Sequence, residues 1–372
     1  MTLDGDLDWQ VLNREMEERD SKKKEAMWAA LEHDGVVPED AVLEGLSGLL
    51  GEDIERVASF WHELDLGLRR EVIETLTQMA EADFTMDFSA VFRIAMKDDD
   101  PEVRAFAVSG LHEVEDVRLV SEYVDMLRHD PDPFVRKAAA KALANYVLLG
   151  ELQKIRPEPF HAAVEALIEA YTDRGEKREV QRQAVESMAY TGTHQVPEMI
   201  ALAYKQEEPE MRGSAVFAMG RSADERWAPI VQHELHNPNP EIRFEATRAC
   251  GELQLREAVE EIVELTDDVN QAIREMALWA LGQIGGNLAR RTLERYAESD
   301  QDAMRDAAQE ALQELEFFYG DLSTFFGPPE TYDGESEDAW EMPDWNLDDE
   351  LDEEDDALPG NDDDDVEAET WL

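Results

Sequence analysis

From about residue 52 to residue 316 the chain repeats one pattern of apolar, small and polar positions. It is clearest in Asn237-Pro-Asn-Pro-Glu-Ile-Arg-Phe-Glu-Ala-Thr-Arg-Ala-Cys-Gly251. An apolar residue precedes Arg243, a small residue stands three positions on, and a small-then-apolar pair follows at six and seven. Further copies are anchored at Arg104, Arg136, Arg212, Arg274 and Arg305. Gln181 anchors another, with Val180, Ala184, Ser187 and Met188 filling the frame, and Arg69 with Val72, Thr75 and Leu76 gives a weaker first copy. From Gln181 onward the anchors fall 31 residues apart, a period that signals a solenoid of stacked helical units.

Small residues three and six positions past an anchor, such as Ala246 and Ala249 or Ala277 and Ala280, share one helix face and let a neighbouring helix approach closely. Asp100-Pro101, Asp132-Pro133, Glu208-Pro209 and Asn239-Pro240 read as helix starts, because proline at the first position lacks only an N–H that would be unpaired anyway. Gly110, Gly220, Gly251 and Gly282 read as stops. The pattern predicts eight helix pairs, outer helix first: 54–64 with 68–80, 86–96 with 102–111, 117–128 with 134–146, 158–171 with 179–190, 197–204 with 210–219, 226–235 with 241–250, 257–265 with 270–284, and 288–297 with 302–315. The step from Arg136 to Gln181 is 45 residues, so an insertion is expected near residues 145–160 as a lengthened inner helix and a proline-marked turn, or as a hinge.

Three domains follow: an N-terminal helical cap over residues 1–51, with Met16, Met27, Trp28 and Leu31 as its apolar residues, the array over 52–320, and a tail over 321–372. The tail holds 22 Asp or Glu and no Lys or Arg, so it carries −22 of the formal −55 and leaves −33 on the rest. Self-repulsion and a lack of aliphatic residues predict disorder there, punctuated by Phe325, Phe326, Trp340, Trp345 and Trp371. So acidic a chain argues against nucleic acid as a partner and toward a protein with a basic surface. Neither a secretory signal nor an apolar run of membrane-spanning length is present, and a cytoplasmic protein without membrane contact is the expectation. The one cysteine, Cys250, stands at an apolar core position where a buried, inert thiol is expected.

The frame Pro-Glu-Ile-Arg-Phe-Glu-Ala-Thr-Arg-Ala-Cys-Gly resembles the second helix of a HEAT repeat, closest to the HEAT-like units associated with phycobilisome lyases, over about residues 52–316. The resemblance implies an all-α, right-handed α-solenoid of the armadillo/HEAT type whose inner helices line a concave binding surface. It also implies a ladder in which a loop acid pairs with the recurrent arginine between neighbouring repeats. Arg104, Arg136, Arg212, Arg243, Arg274 and Arg305 match the arginine, and Asp98, Asp130 and Asp268, six before their anchors, match the acid. Asn237 and Gln206 replace the acid in two units, so an incomplete ladder is expected.

Some proteins of this repeat type are enzymes. Deoxyhypusine hydroxylase is similar in repeat type but needs facing His-Glu pairs for iron; His62-Glu63, His112-Glu113 and His233-Glu234 do not follow an anchor and read as surface histidines. His233-Glu-Leu-His236 lacks the four-residue spacing of a zinc helix, and Asp98-Asp99-Asp100 and Asp130-Pro-Asp132 read as helix caps ahead of a calcium loop. No cofactor, metal or catalytic residue is assigned. Lys154, Arg156, Arg174, Lys177, Arg178 and Arg182 form the most basic region of the array. It is either a balanced surface or a docking ground for the acidic tail. The expected function is a non-catalytic interaction scaffold that gathers a basic partner on its concave face, around residues 102–110, 210–220, 241–251 and 270–282, and through its tail. The alternative is a HEAT-like lyase or chaperone that assists cofactor attachment or protein modification.

Overall fold

The structure is a computed structural model that describes residues 39–112, 114–193 and 195–326, together with residues 22, 24, 25 and 27–31; side chains at 40, 41 and 318–326 are outside the description. The expected disordered tail falls, from residue 327, outside the described residues, as do Met16, Glu113 and His194. Contacts divide the chain into one unit of Met1–Asp321 and a second from Leu322 onward, of which the described part is the backbone that ends the last helix. The first unit is an all-α solenoid, with no strand among the described residues.

After a short α1 (Asp40–Leu43), eight helix pairs follow. They are α2 (Glu52–Phe60) with α3 (Leu66–Ala82), α4 (Ser89–Ala95) with α5 (Pro101–Gly110), α6 (Arg118–His129) with α7 (Pro133–Glu151), and α8 (Pro157–Thr172) with α9 (Arg178–Met188). Next come α10 (Val196–Tyr204) with α11 (Pro209–Arg221), α12 (Ala228–Glu234) with α13 (Pro240–Glu252), α14 (Val259–Leu265) with α15 (Gln271–Ile284), and α16 (Asn287–Ala297) with α17 (Asp302–Phe326). The odd-numbered helices from α3 to α15 pack each upon the next and form an inner row. From α4 to α14 each outer helix leans on the inner helix that follows it.

Helix starts follow local chemistry. Asp100 accepts from the amides of Glu102 and Val103, Asp132 from Phe134, Asn239 from Glu241 and Asn270 from Ala272, so each first turn has a capped donor. Glu208 departs from the expectation: its side chain makes no cap and reaches Arg178 at 3.1 Å. Expected small residues sit in the seam, with Ala246, Ala249, Ala277, Ala280, Ala308 and Ala311 all buried.

Three of the glycines expected to stop helices do not. Gly220, Gly251 and Gly282 lie inside α11, α13 and α15 with ordinary helical φ and do not end them. Each stands eight past its anchor, against the alanine six past the next anchor. A Cβ on Gly220 would come 2.8 Å from Ala249 Cα, one on Gly251 3.0 Å from Ala280 Cα, and one on Gly282 2.9 Å from Ala311 Cβ. Their role is close approach of inner helices. The turns that follow three of the inner helices use the left-handed region three residues later, at Ala223 (φ 50), Gln254 (φ 52) and Gly285 (φ 72). Only the last is glycine. Gln254→Gly is therefore expected to raise stability by about 1 kcal/mol through relief of the Cβ clash, read as a higher urea midpoint at unchanged slope; an unchanged midpoint would refute it.

The 45-residue step is taken up by helices: α7 has 19 residues and α8 16, against 13 in α11 and 9 in α10. Ahead of the array, Met27, Trp28 and Leu31 are buried, with Trp28 edge-on to Phe60 and under Arg56, and Lys24 bonds Asp53 at 2.7 Å.

Candidate partner-binding groove

Five of the six anchor arginines, all but Arg212, do one thing in common, which the spacing alone had not indicated. Each closes its own loop by donating Nη1 to the carbonyl six residues earlier: Arg104 to Asp98 at 2.8 Å, Arg136 to Asp130 at 2.8 Å, Arg243 to Asn237 at 2.7 Å, Arg274 to Asp268 at 2.9 Å and Arg305 to Ser299 at 3.2 Å. The remaining donors reach the next repeat where an acid is available. Arg104 holds Asp130 through Nε and Nη2, both at 2.8 Å, and Arg243 holds Asp268 at 3.1 and 3.2 Å. Asp98 is held by Arg69 of the weaker first copy and by Trp61 Nε1 at 2.7 Å. Arg136 takes Glu176 at 2.7 and 2.6 Å, a residue outside the expected set because the insertion shifts its register. Its only sequence signal is its place in the loop just before Gln181.

Between Glu176 and Arg243 this ladder gives way to other bonds. Gln181 donates to the carbonyls of Tyr171 and Asp173, and Gln206 donates to the Tyr171 hydroxyl at 3.1 Å. Arg212 rests over the Tyr204 ring, 5.6 Å from its centroid, with its buried Nε unpaired. Tyr204 donates instead to the buried Glu234, which Asn237 also contacts. Burial and then Glu234 push the Tyr204 hydroxyl up to about 12. Arg274 has Ser299 where a facing acid would stand, and Arg305 pairs with Asp302 of its own helix.

Asp116, bonded first by Arg118 and then by Arg93, is held down at about 2 from an ordinary 3.8. Asp100 is lowered by Arg70; Asp268 is lowered too, because the Asn270 amide and Arg243 outweigh its burial. Depressed carboxyl pKa values stabilise the fold above the unfolded value and lose that contribution as pH falls through the folded one. Stability should thus drop steadily between 3.8 and about 2, set by Asp116, and urea midpoints that stay flat over this window would refute the assignment.

The basic region does not form one patch. Lys154 and Arg156 lie in the loop before α8, whereas Arg174 and Lys177 lie in the loop after it, with Arg178 and Arg182 on α9. Sixteen helical residues, about 24 Å, separate the two groups. Arg178 is engaged by Glu208 and Gln181, and Arg182 by the Ser214 hydroxyl at 3.0 Å.

A groove of about 560 Å³ crosses the inner row from α9 to α15. Four carboxylates line it, Glu186, Glu210, Glu241 and Glu245, with Phe217 and Phe244 as aromatic walls. Arg182 is the one lining cation. Glu186 accepts from Ser214 at 2.6 Å. Beside the groove, the buried Arg248 lies 4.0 Å above the Phe217 ring and donates to Glu245 at 2.9 Å and Glu252 at 2.6 Å. Burial pushes the Glu245 and Glu252 carboxyls above the ordinary range in spite of Arg248. Burial also lifts the Cys250 thiol to about 12, which makes it inert at neutral pH. Among the described residues no three metal-binding side chains converge, and no helix is long and apolar enough to cross a membrane.

The geometry defines an α-solenoid, and its units are HEAT repeats: the HEAT-repeat family model matches residues 88–173 and 228–313. The chain is a HEAT-repeat protein. No curated protein matches it in sequence. Among solved structures it is similar to an engineered protein, at 18% identity over 79% of this chain and 88% of that one with a TM-score of 0.40. It is also similar to human deoxyhypusine hydroxylase, at 19% identity over 75% and 98% with a TM-score of 0.32. A third is a designed armadillo repeat protein in complex with the peptide (KR)4, at 20% identity over 53% and 99% with a TM-score of 0.35.

Proposed function

We propose that the chain is a non-catalytic protein-interaction scaffold whose inner-row groove, from α9 to α15, takes a basic segment of a protein partner. One observation carries the reading: Glu186, Glu210, Glu241 and Glu245 converge on a single groove between two aromatic walls. A partner guanidinium or ammonium would meet carboxylates for charge and Phe244 for cation–π contact. The net −33 outside the tail favours encounter with such a partner from a distance, and the acidic segment after Asp321 is proposed to add to that attraction.

A fluorescein-labelled octa-arginine peptide tests this by anisotropy. Glu186→Gln/Glu241→Gln/Glu245→Gln is expected to weaken binding about tenfold or more at low salt, whereas Glu225→Gln/Glu257→Gln on the outer side leaves it unchanged. Because Glu245 protonates above the ordinary glutamate range, affinity should fall on acidification before an exposed glutamate titrates. Equal binding by the triple variant and the parent would sink the proposal.

A further inference from the structure

The first repeats carry a second cavity with a different chemistry. It measures about 500 Å³ and lies among the ends of α3 and α5, the loop into α4, and the middle of α7. Phe88, Phe92, Val108 and Ala142 form its wholly apolar floor and are all buried. The Phe92 ring reaches it because Gly110 has no side chain; a Cβ there would sit 2.3 Å from the ring. At the mouth Phe84 is 88% exposed. Its turn is fixed, since Asp83 accepts from both the amide of Thr85 at 2.9 Å and its hydroxyl at 2.7 Å. An aromatic ring held out into water beside an apolar hole is prepared to close over something.

Charge on the α7 side says what that something is. Residues 134–150 contain no Asp or Glu, in a chain that has 89 of them. Phe134, Lys137, Lys141 and Leu148 are exposed at positions that share one helix face, with half-buried Ala138 between the lysines. Neither lysine has an anionic partner among the described residues, and Lys141 and Ala138 both line the cavity. Two carboxylates stand at the opposite wall, Glu81 and Asp87, and Asp87 accepts from the Ser89 amide at 3.0 Å.

We infer that this cavity is a docking site for a protein segment in which an aromatic or large aliphatic side chain is flanked by carboxylates: the apolar group enters beneath Phe84 and the carboxylates meet Lys137 and Lys141. The array then offers two sites of opposite preference, acid-binding over α3 to α7 and base-binding over α9 to α15. The inference does not rest on the groove, and its test separates the two. The probe is a fluorescein-labelled peptide Asp-Asp-Leu-Trp-Asp-Asp, with Asp-Asp-Ser-Ser-Asp-Asp as control, measured by anisotropy on the full chain. The first is expected to bind and the second to fail. Phe84→Ala and Lys137→Glu/Lys141→Glu should each weaken binding about tenfold, with melting curves unchanged because these side chains are exposed. Ala138→Leu, which fills the hole from α7, should give the same loss. The Glu186→Gln/Glu241→Gln/Glu245→Gln variant should bind the probe as the parent does. No binding of the probe, equal binding of the control, or indifference to Phe84→Ala and the lysine reversal would each overturn the inference.

Discussion

Asp98→Ala is expected to cost about 3–5 kcal/mol, the largest loss from any single ladder residue. The side chain is fully enclosed and its two oxygens serve three donors: Trp61 Nε1 at 2.7 Å, Arg69 Nη1, and the Asp100 amide at 2.8 Å. Arg69 is itself nearly buried, and its Nε already lacks a partner. Removal of the carboxylate would leave a cation, an indole N–H and a loop amide without acceptors inside the protein, which costs far more than a surface ion pair contributes. Asp99 next door is exposed, and Asp99→Ala should change stability by no more than about 0.5 kcal/mol. A solenoid loses structure by segments, so the readout is hydrogen exchange over α2 to α5 alongside urea unfolding. A loss below about 1 kcal/mol for Asp98→Ala would show that the buried arginine relaxes to solvent.

Gly220→Val should cost about 3 kcal/mol or more. Its new Cβ would meet Ala249 Cα at 2.8 Å and Cβ at 2.9 Å, so no rotamer change removes the clash and α11 and α13 must part. The same helix contains its own control. Gly213 has no atom within 4 Å of a built Cβ, and Gly213→Ala should therefore stabilise by about 1 kcal/mol through helix propensity alone. Opposite signs from two glycines seven positions apart on α11 are the diagnostic result. Destabilisation by both, measured as urea midpoints, would mean that the close contact is not the reason glycine stands at position 220.

The interval between anchors and the alanines around them determined the fold from sequence alone. A helix returns to the same face every three to four residues, and a unit that cannot bury that face alone must stack on its copies. Period and small-residue spacing are local facts, so the inner row, the caps at Asp100, Asp132 and Asn239, and the buried Cys250 were all legible. Gly220, Gly251 and Gly282 were legible as positions but not as roles, because a glycine that ends a helix and one that admits a neighbour look alike until the neighbour is present.

Only tertiary structure decided which charges meet. The 16 residues of α8 carry Lys154 and Arg156 away from Arg174 and Lys177 although they are close in sequence, while Glu176 reaches Arg136 from 40 residues away. The two proposed sites have the same origin: each gathers side chains from three or four inner helices a repeat apart. One repeat's sequence fixes where its own side chains point. Which side chains end up facing one another depends on how the repeats are stacked, and no single segment encodes that.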